Sequence, residues 1–137
     1  VKAKLQGDKI MDPVVHFEMP YLNAERASKF YETVFGWKTS ILGAEMGSYI
    51  LATTAVEDTN SGSPKGAING GLFPMTPDSP QYPSVTIGVG DIVDSIAKVV
   101  KAGGKVLGQP AEIPGIGLYV SFIDTEGNRN SILQPKM

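Results

Sequence analysis

The chain has 137 residues, 42% of them hydrophobic and 19% charged, which suits one soluble domain with its own core and is too apolar for a disordered chain. A net charge of −2 gives no surface for nucleic acid, and no apolar run approaches the ~20 residues of a membrane span. With no Cys there is no disulfide, zinc–thiolate site or thiol nucleophile, and these features together point to a cytoplasmic protein.

Residues 1–10 show no clear period. The stretch from Val14 to Met19 alternates as a strand, with Val14, His16 and Glu18 on one face and Val15, Phe17 and Met19 on the other. Pro20 is expected to end it. Asn23 then caps a helix carrying Ala27, Phe30, Tyr31, Val34 and Phe35 at helical spacing, a stripe that calls for a sheet or helix to cover it. Gly36 stops that helix. Trp37 to Leu42 reads as a strand, Gly43 to Gly47 as a turn and Ser48 to Thr54 as a strand. A polar loop follows over 57–66. Ala67 to Phe73 reads as a strand, and its Gly70-Gly71 pair marks a place where a backbone or a ligand comes close.

Pro74 to Pro80, with three prolines in seven residues, is the best linker in the chain. Ser84 to Val89 then alternates as a strand, and Asp91 caps a helix with Ile92, Ile96, Val99 and Val100 on one stripe. Gly103-Gly104 closes it. Lys105 to Leu107 starts a strand, and Gly108 to Gly117 is expected to be a loop. Leu118 to Ile123 is a strand, residues 124–128 a turn, and Ser131 to Gln134 the last strand.

The two halves carry the same punctuation. Asn23 and Asp91 stand 68 positions apart, and that offset also takes Gly36 to Gly104 and His16 to Ser84. Gly47-Ser48-Tyr49 is similar to Gly117-Leu118-Tyr119 at an offset of 70. The expected fold is therefore α+β, with two pseudo-symmetric strand–helix–strand–strand–strand modules. We divide the single domain, 1–137, into module 1 (about 12–75), a linker (76–82) and module 2 (about 83–137).

Three stretches resemble the glyoxalase/bleomycin-resistance/extradiol-dioxygenase family, the vicinal oxygen chelate proteins. The first is Val14-Val15-His16-Phe17-Glu18 with the helix Ala27-Ser28-Lys29-Phe30-Tyr31-Glu32-Thr33-Val34-Phe35-Gly36-Trp37, similar to the family's A-x-x-F-Y-x-x-x-F-G-W. The second runs from Val89-Gly90-Asp91-Ile92 to Gly104-Lys105. The third, Phe122-Ile123-Asp124-Thr125-Glu126-Gly127-Asn128, resembles the family's F-x-D-P-x-G-N turn with Thr in place of Pro. The resemblance implies two βαβββ modules forming an incomplete eight-stranded barrel around a cleft, and a homodimer. It also implies four metal-ligand positions. On this chain they fall at His16, Ser84, Ser131 and around Gly70-Gly71, so one of four is a usual ligand.

Five residues are candidates to line a ligand pocket: His16, Glu18, Ser84, Tyr119 and Ser131. His16 could be a satisfied buried imidazole, a pocket group or base, or a metal ligand. Glu18 shares its face and could act as acid, base or second ligand, or lie solvated at a strand end. Tyr49, Tyr119, Phe122 and Trp37 read as core or cavity wall. Gln134 is expected at the surface or orienting a ligand, and Pro114 to Gly117 forms an ordinary turn or a flap over a pocket mouth.

The resulting expectation is a small-molecule-binding protein of the bleomycin-resistance kind, with no cofactor, no nucleic acid and no membrane partner. The alternative is a lyase, isomerase or dioxygenase using a divalent metal held by His16 with non-family ligands such as Glu18. If the chain is an enzyme, it is a lyase or an oxidoreductase.

Overall fold

In a computed structural model, residues 11–55 and 66–136 are described. The expectations for residues 1–10 and for most of the 57–66 loop lie outside them. Eight strands and two helices run in the order β1 (Val14–Tyr21), α1 (Ala24–Phe35), β2 (Lys38–Ile41), β3 (Ile50–Thr53), β4 (Gly70–Pro74), β5 (Ser84–Gly88), α2 (Ile92–Lys101), β6 (Lys105–Ile113), β7 (Gly117–Ile123) and β8 (Arg129–Pro135). A one-turn 3-10 helix, Ala44–Met46, sits in the β2–β3 connection.

The strands form one mixed, unclosed sheet in the order β2-β3-β4-β1-β5-β8-β7-β6. Each module contributes four neighbouring strands, and the modules join where β1 runs antiparallel to β5. Within each module the opening strand lies parallel to the closing strand, β1 to β4 and β5 to β8. This is the expected pair of βαβββ units.

Both helices pack on one face of the sheet, each over its own core cluster. Ala27 and Tyr31 of α1 pack on Ile50, Ala52, Leu72, Phe17 and Met19; Ile92 of α2 packs with Val89, Val120, Phe122 and Ile132. The caps are as expected. The Asn23 side chain accepts from the Arg26 amide, Gly36 takes φ 72, and the Asp91 side chain accepts from the Asp94 amide.

Several expectations need correction. Pro20 does not end β1, which continues to Tyr21 and pairs with β4 there. The β5 pairing stops at Glu18, so at Pro20 one side of β1 is an edge, where a sheet tolerates proline. β6 likewise runs on through Gly108 and Pro110 to Ile113. A register shift between Leu107 and Ala111, with Gly108 at φ 92, makes a bulge on what is an outer strand. Only 114–116 remain as a turn. β4 begins at Gly70 rather than Ala67, because the Asn69 side chain accepts from the amides of Thr54 and Ala55. Part of the α1 stripe is also uncovered: Phe30, Val34 and Phe35 are 53%, 54% and 61% exposed.

Candidate functional site

The face of the sheet turned away from the helices carries the alternate residues of every strand. His16 pairs with Thr86, Thr86 with Ser131, and Ser131 with Ser121, which sets four polar residues in one row. Glu18 pairs with Ser84 on one side and Gly71 on the other, and Gly71 pairs with Leu51, setting the next row.

Over these rows a hydrogen-bonded cluster centres on Glu18. The Tyr49 hydroxyl donates to Glu18 Oε2 at 2.9 Å, and the Tyr119 hydroxyl donates to Oε1 at 3.0 Å. Each carboxylate oxygen therefore takes one phenol, one from each module. His16 Nε2 lies 3.0 Å from the Tyr49 hydroxyl. Because that hydroxyl spends its only proton on Glu18, His16 must donate through Nε2, which fixes its neutral tautomer. On the other side Ser131 Oγ lies 2.6 Å from the Tyr119 hydroxyl, and Ser121 Oγ lies 3.3 Å from Ser131 Oγ. The same proton count makes Ser131 the donor to Tyr119. Donors thus point from both ends toward one acceptor, the Glu18 carboxylate.

Tyr119 reaches Glu18 across β8 and β5. In a flat sheet, strands that far apart are roughly 14 Å from one another, at ~4.8 Å per step. The 3.0 Å contact therefore requires the sheet to curl with this face inside. Thr86 and Ser131, beneath that span, are 2% and 4% exposed. Thr86 Oγ1 has no hydrogen-bond partner, and neither does Arg129 Nε further along β8.

Burial drives the electrostatics. Desolvation pushes the Tyr119 phenol up to about 12, with the nearby Glu18 charge adding to it. The Tyr49 phenol is raised further for the same two reasons. Both remain protonated donors at any ordinary pH. Burial holds the His16 imidazole below its usual value, and the Glu18 charge only partly opposes this.

Of the five residues expected at a pocket, the structure brings His16, Glu18, Tyr119 and Ser131 into one network. Ser84 is not part of it: at the start of β5 it makes no side-chain hydrogen bond among the described residues and borders a cavity on the helix side. Gln134 also lies away, its amide oxygen accepting from Ile92 at the start of α2. Tyr49 and Thr86 were not singled out for the site. The signal for Tyr49 was its match to Tyr119 at an offset of 70; for Thr86 it was the 68-residue offset, which lands Glu18 on it.

The Gly70-Gly71 pair has a specific cause. A side chain at Gly71 would strike the Tyr49 ring, and one at Gly70 would strike Phe17 on the opposite face. The glycines make room for rings of this chain. At the four positions where the family resemblance would place metal ligands stand His16, Ser84, Ser131 and Gly71. The last is overlaid by Tyr49, and Ser131 is engaged by Tyr119. Among the described residues no group of three or more His, Asp or Glu could hold a metal ion. The donor set present does not fit the family's metal.

Two concavities of about 450 and 460 Å³ open on the helix face and share Met19, Tyr31 and Pro83. Their walls are mainly apolar. No helix is long and apolar enough to cross a membrane among the described residues.

Comparison with known proteins agrees with this fold. The model of the glyoxalase/bleomycin resistance protein/dioxygenase superfamily matches residues 14–132. A glyoxylase-like domain-containing protein of Didymella fabae is 31% identical over 119 residues, covering 84% of this chain and 88% of that one. The putative glyoxylase CFP32 of Mycobacterium bovis is 29% identical over 109 residues, covering 80% of this chain but 39% of the relative. The chain thus spans about two fifths of the length of that mycobacterial relative. Among solved structures, a methylmalonyl-CoA epimerase superposes with a TM-score of 0.69 at 17% identity, covering 96% of this chain and 100% of that one. A variant of the Streptomyces coelicolor epimerase, in complex with 2-nitronate-propionyl-CoA, gives 0.65 at 17% identity, covering 93% and 100%. At these identities the likeness is one of fold.

Proposed function

The chain belongs to the glyoxalase/bleomycin resistance protein/dioxygenase superfamily, and from that premise we propose that it binds a small organic molecule on the inner face of its curled sheet, without the superfamily's metal. The observation that carries this reading is the convergence of Tyr49 and Tyr119, one from each module, on Glu18. A preformed polar group on a face with apolar neighbours such as Leu51 and Leu133 has the character of a recognition site. Two hydrogen bonds occupy one lone pair on each Glu18 oxygen, and the remaining lone pairs are free for a ligand. Structural neighbours held with CoA esters support the capacity of this fold to take small organic ligands.

His16 in this reading is a positioning residue, orienting Tyr49 toward Glu18. Metal chemistry through His16 and Glu18 is disfavoured by the donors themselves, since Tyr49 bridges the two side chains. We also propose a homodimer. The uncovered apolar residues of α1, Phe30, Val34 and Phe35, support it, since contiguous exposed apolar surface is what interfaces are made from.

The experiment is a melting-temperature screen of the wild-type chain and Glu18→Gln against a library of small organic molecules, with parallel titrations of nickel, zinc, manganese and iron. Compounds that raise the wild-type melting point and lose the effect in Glu18→Gln support the reading. Stabilisation indifferent to Glu18, or a stoichiometric metal lost in His16→Gln, overturns it. Light scattering that gives a monomer mass at every concentration overturns the dimer.

A further inference from the structure

We infer that the second copy docks in the apolar groove beside α1, with a ridge of α1 from each chain seated in the groove of the other. This rests on the homodimer proposed above and names its interface. α1 packs within module 1 and α2 over β6, β7 and β8, and the gap between them runs above the seam where β1 meets β5. Phe17, Met19 and Val85 of those two strands lie in it. Because the two helix-side concavities share Met19, Tyr31 and Pro83, they form one groove. Its walls are the apolar face that a sheet ordinarily buries against a further layer.

The groove alone would suit many occupants; the bank beside it selects one. Arg26, Phe30 and Val34 follow one another at every fourth position of α1, with Leu22 just before the helix. Leu22, Phe30 and Val34 are 75%, 53% and 54% exposed. Such a row is the ridge that one helix seats in a facing groove. Leu22, Arg26 and Phe30 also line the groove, so ridge and groove are neighbours. A small molecule in the groove would leave the ridge in water. A second copy turned about a two-fold axis covers both at once, one patch meeting itself. Charge sets the direction. Arg26 makes no ion pair among the described residues, and α1 has no basic residue in its last turn. An antiparallel partner brings Arg26 to the carbonyl end of the facing helix, where a cation is favourable. The area is also of the right size. With Phe35, whose ring lies 6.4 Å from Phe30, and Tyr82, next to Pro83, the exposed apolar residues reach a few hundred Å². At ~150–250 Å² for each aromatic side chain this is on the order of 500 Å² per copy. The groove walls bring it toward the ~800 Å² per partner of a stable interface. The inner face lies on the other side of the sheet, so each Glu18 cluster stays complete within one chain.

The test follows mass by analytical ultracentrifugation and the emission of Trp37, the only tryptophan, which lines the groove. On dilution the dimer should dissociate, and Trp37 emission should move to the red at the same midpoint. Phe30→Glu and Val34→Glu, both at exposed positions, should each weaken the dimer at least about thirtyfold, the scale of a lost hot spot. Val93→Glu, at a position of α2 that is 72% exposed, is the control and should leave the dimer unchanged. The Tyr119 phenol should titrate alike in the wild-type dimer and in the monomeric variants. A wild-type dimer that survives both α1 substitutions, or that dissociates with Trp37 emission fixed, overturns this interface and leaves the homodimer standing. A Tyr119 midpoint that moves on dissociation overturns the separation of the inner face from the interface. A wild-type monomer at every concentration removes the homodimer and this inference together. Quenching of Trp37 by anilinonaphthalene sulfonate in such a monomer would assign the groove to a small apolar ligand instead.

Discussion

The two halves of the inner face occupy matching places and hold different chemistry. Module 1 contributes His16, Glu18, Tyr49 and Gly71; module 2 contributes Ser84, Thr86, Tyr119 and Ser131. The tyrosines match, and both bond to the same carboxylate, because the position equivalent to Glu18 in module 2 is a threonine. Tyr119 must therefore cross two strands to find its acceptor, while Tyr49 crosses one. Where module 1 has Gly71, cleared for a ring, module 2 has Ser131, which hydrogen-bonds a ring. A duplicated scaffold thus supplies two symmetric donors and one off-axis acceptor, and the asymmetry leaves Thr86 without a partner. Symmetry sets where side chains can meet; the single acid decides that they do.

The strongest way to break this comparison is at the glycine that only module 1 needs. Gly71→Ala drives a Cβ into the Tyr49 ring and should cost about 2–3 kcal/mol in chemical denaturation, as overpacking does. Gly90→Ala, with nothing within 4 Å, is the control and should change stability by under ~0.5 kcal/mol. Equal losses at both sites would refute the packing role of Gly71.

Removing the acceptor comes next. Glu18→Gln should cost about 2 kcal/mol, the scale of two hydrogen bonds to a charged group in a half-buried place. The exchange Glu18→Thr with Thr86→Glu moves the acid to module 2 and should recover about 1 kcal/mol of the loss caused by Glu18→Thr alone. No recovery would mean that the modules are not interchangeable at this position. Tyr49→Phe and Tyr119→Phe should each cost about 1 kcal/mol. In double-mutant cycles with Glu18→Gln, each should be strongly non-additive.

The smallest effect is the pH dependence from His16. Its folded-state pKa lies below its unfolded value, so the unfolded chain takes the proton first as pH falls. Stability should therefore fall on acidification below ~6.5, and level off once the folded form is protonated. The difference between wild type and His16→Gln should isolate this fall. A difference curve that rises on acidification would contradict the burial of His16.

Much of the fold was legible because its signals are local. Asn23 and Asp91 as caps, Gly36 as a stop and the alternation around His16 each act within a few residues. β6 was not, since Gly108 and Pro110 look like breakers until an outer strand with a bulge accommodates them. The same holds for Pro20. The site was half legible. His16 and Glu18 share a strand face within three residues, but Tyr49 and Tyr119 reach Glu18 from 31 and 101 positions away, and only the curl of the sheet brings them there. Ser84 followed from the offset alone. Strand alternation put it in the right row, and nothing in the sequence says that its hydroxyl is left out of the network.

The sharing of one carboxylate by both modules is tested most directly by following the ring-carbon resonances of Tyr49 and Tyr119 through alkaline pH in wild type and Glu18→Gln. Tyr119 should titrate at about 12 and Tyr49 later still. Both midpoints should drop when Glu18 loses its charge, because that charge and its hydrogen bonds help hold the phenol protons. Midpoints near the ordinary ~10 in the wild-type chain, or midpoints unmoved by Glu18→Gln, would contradict the account.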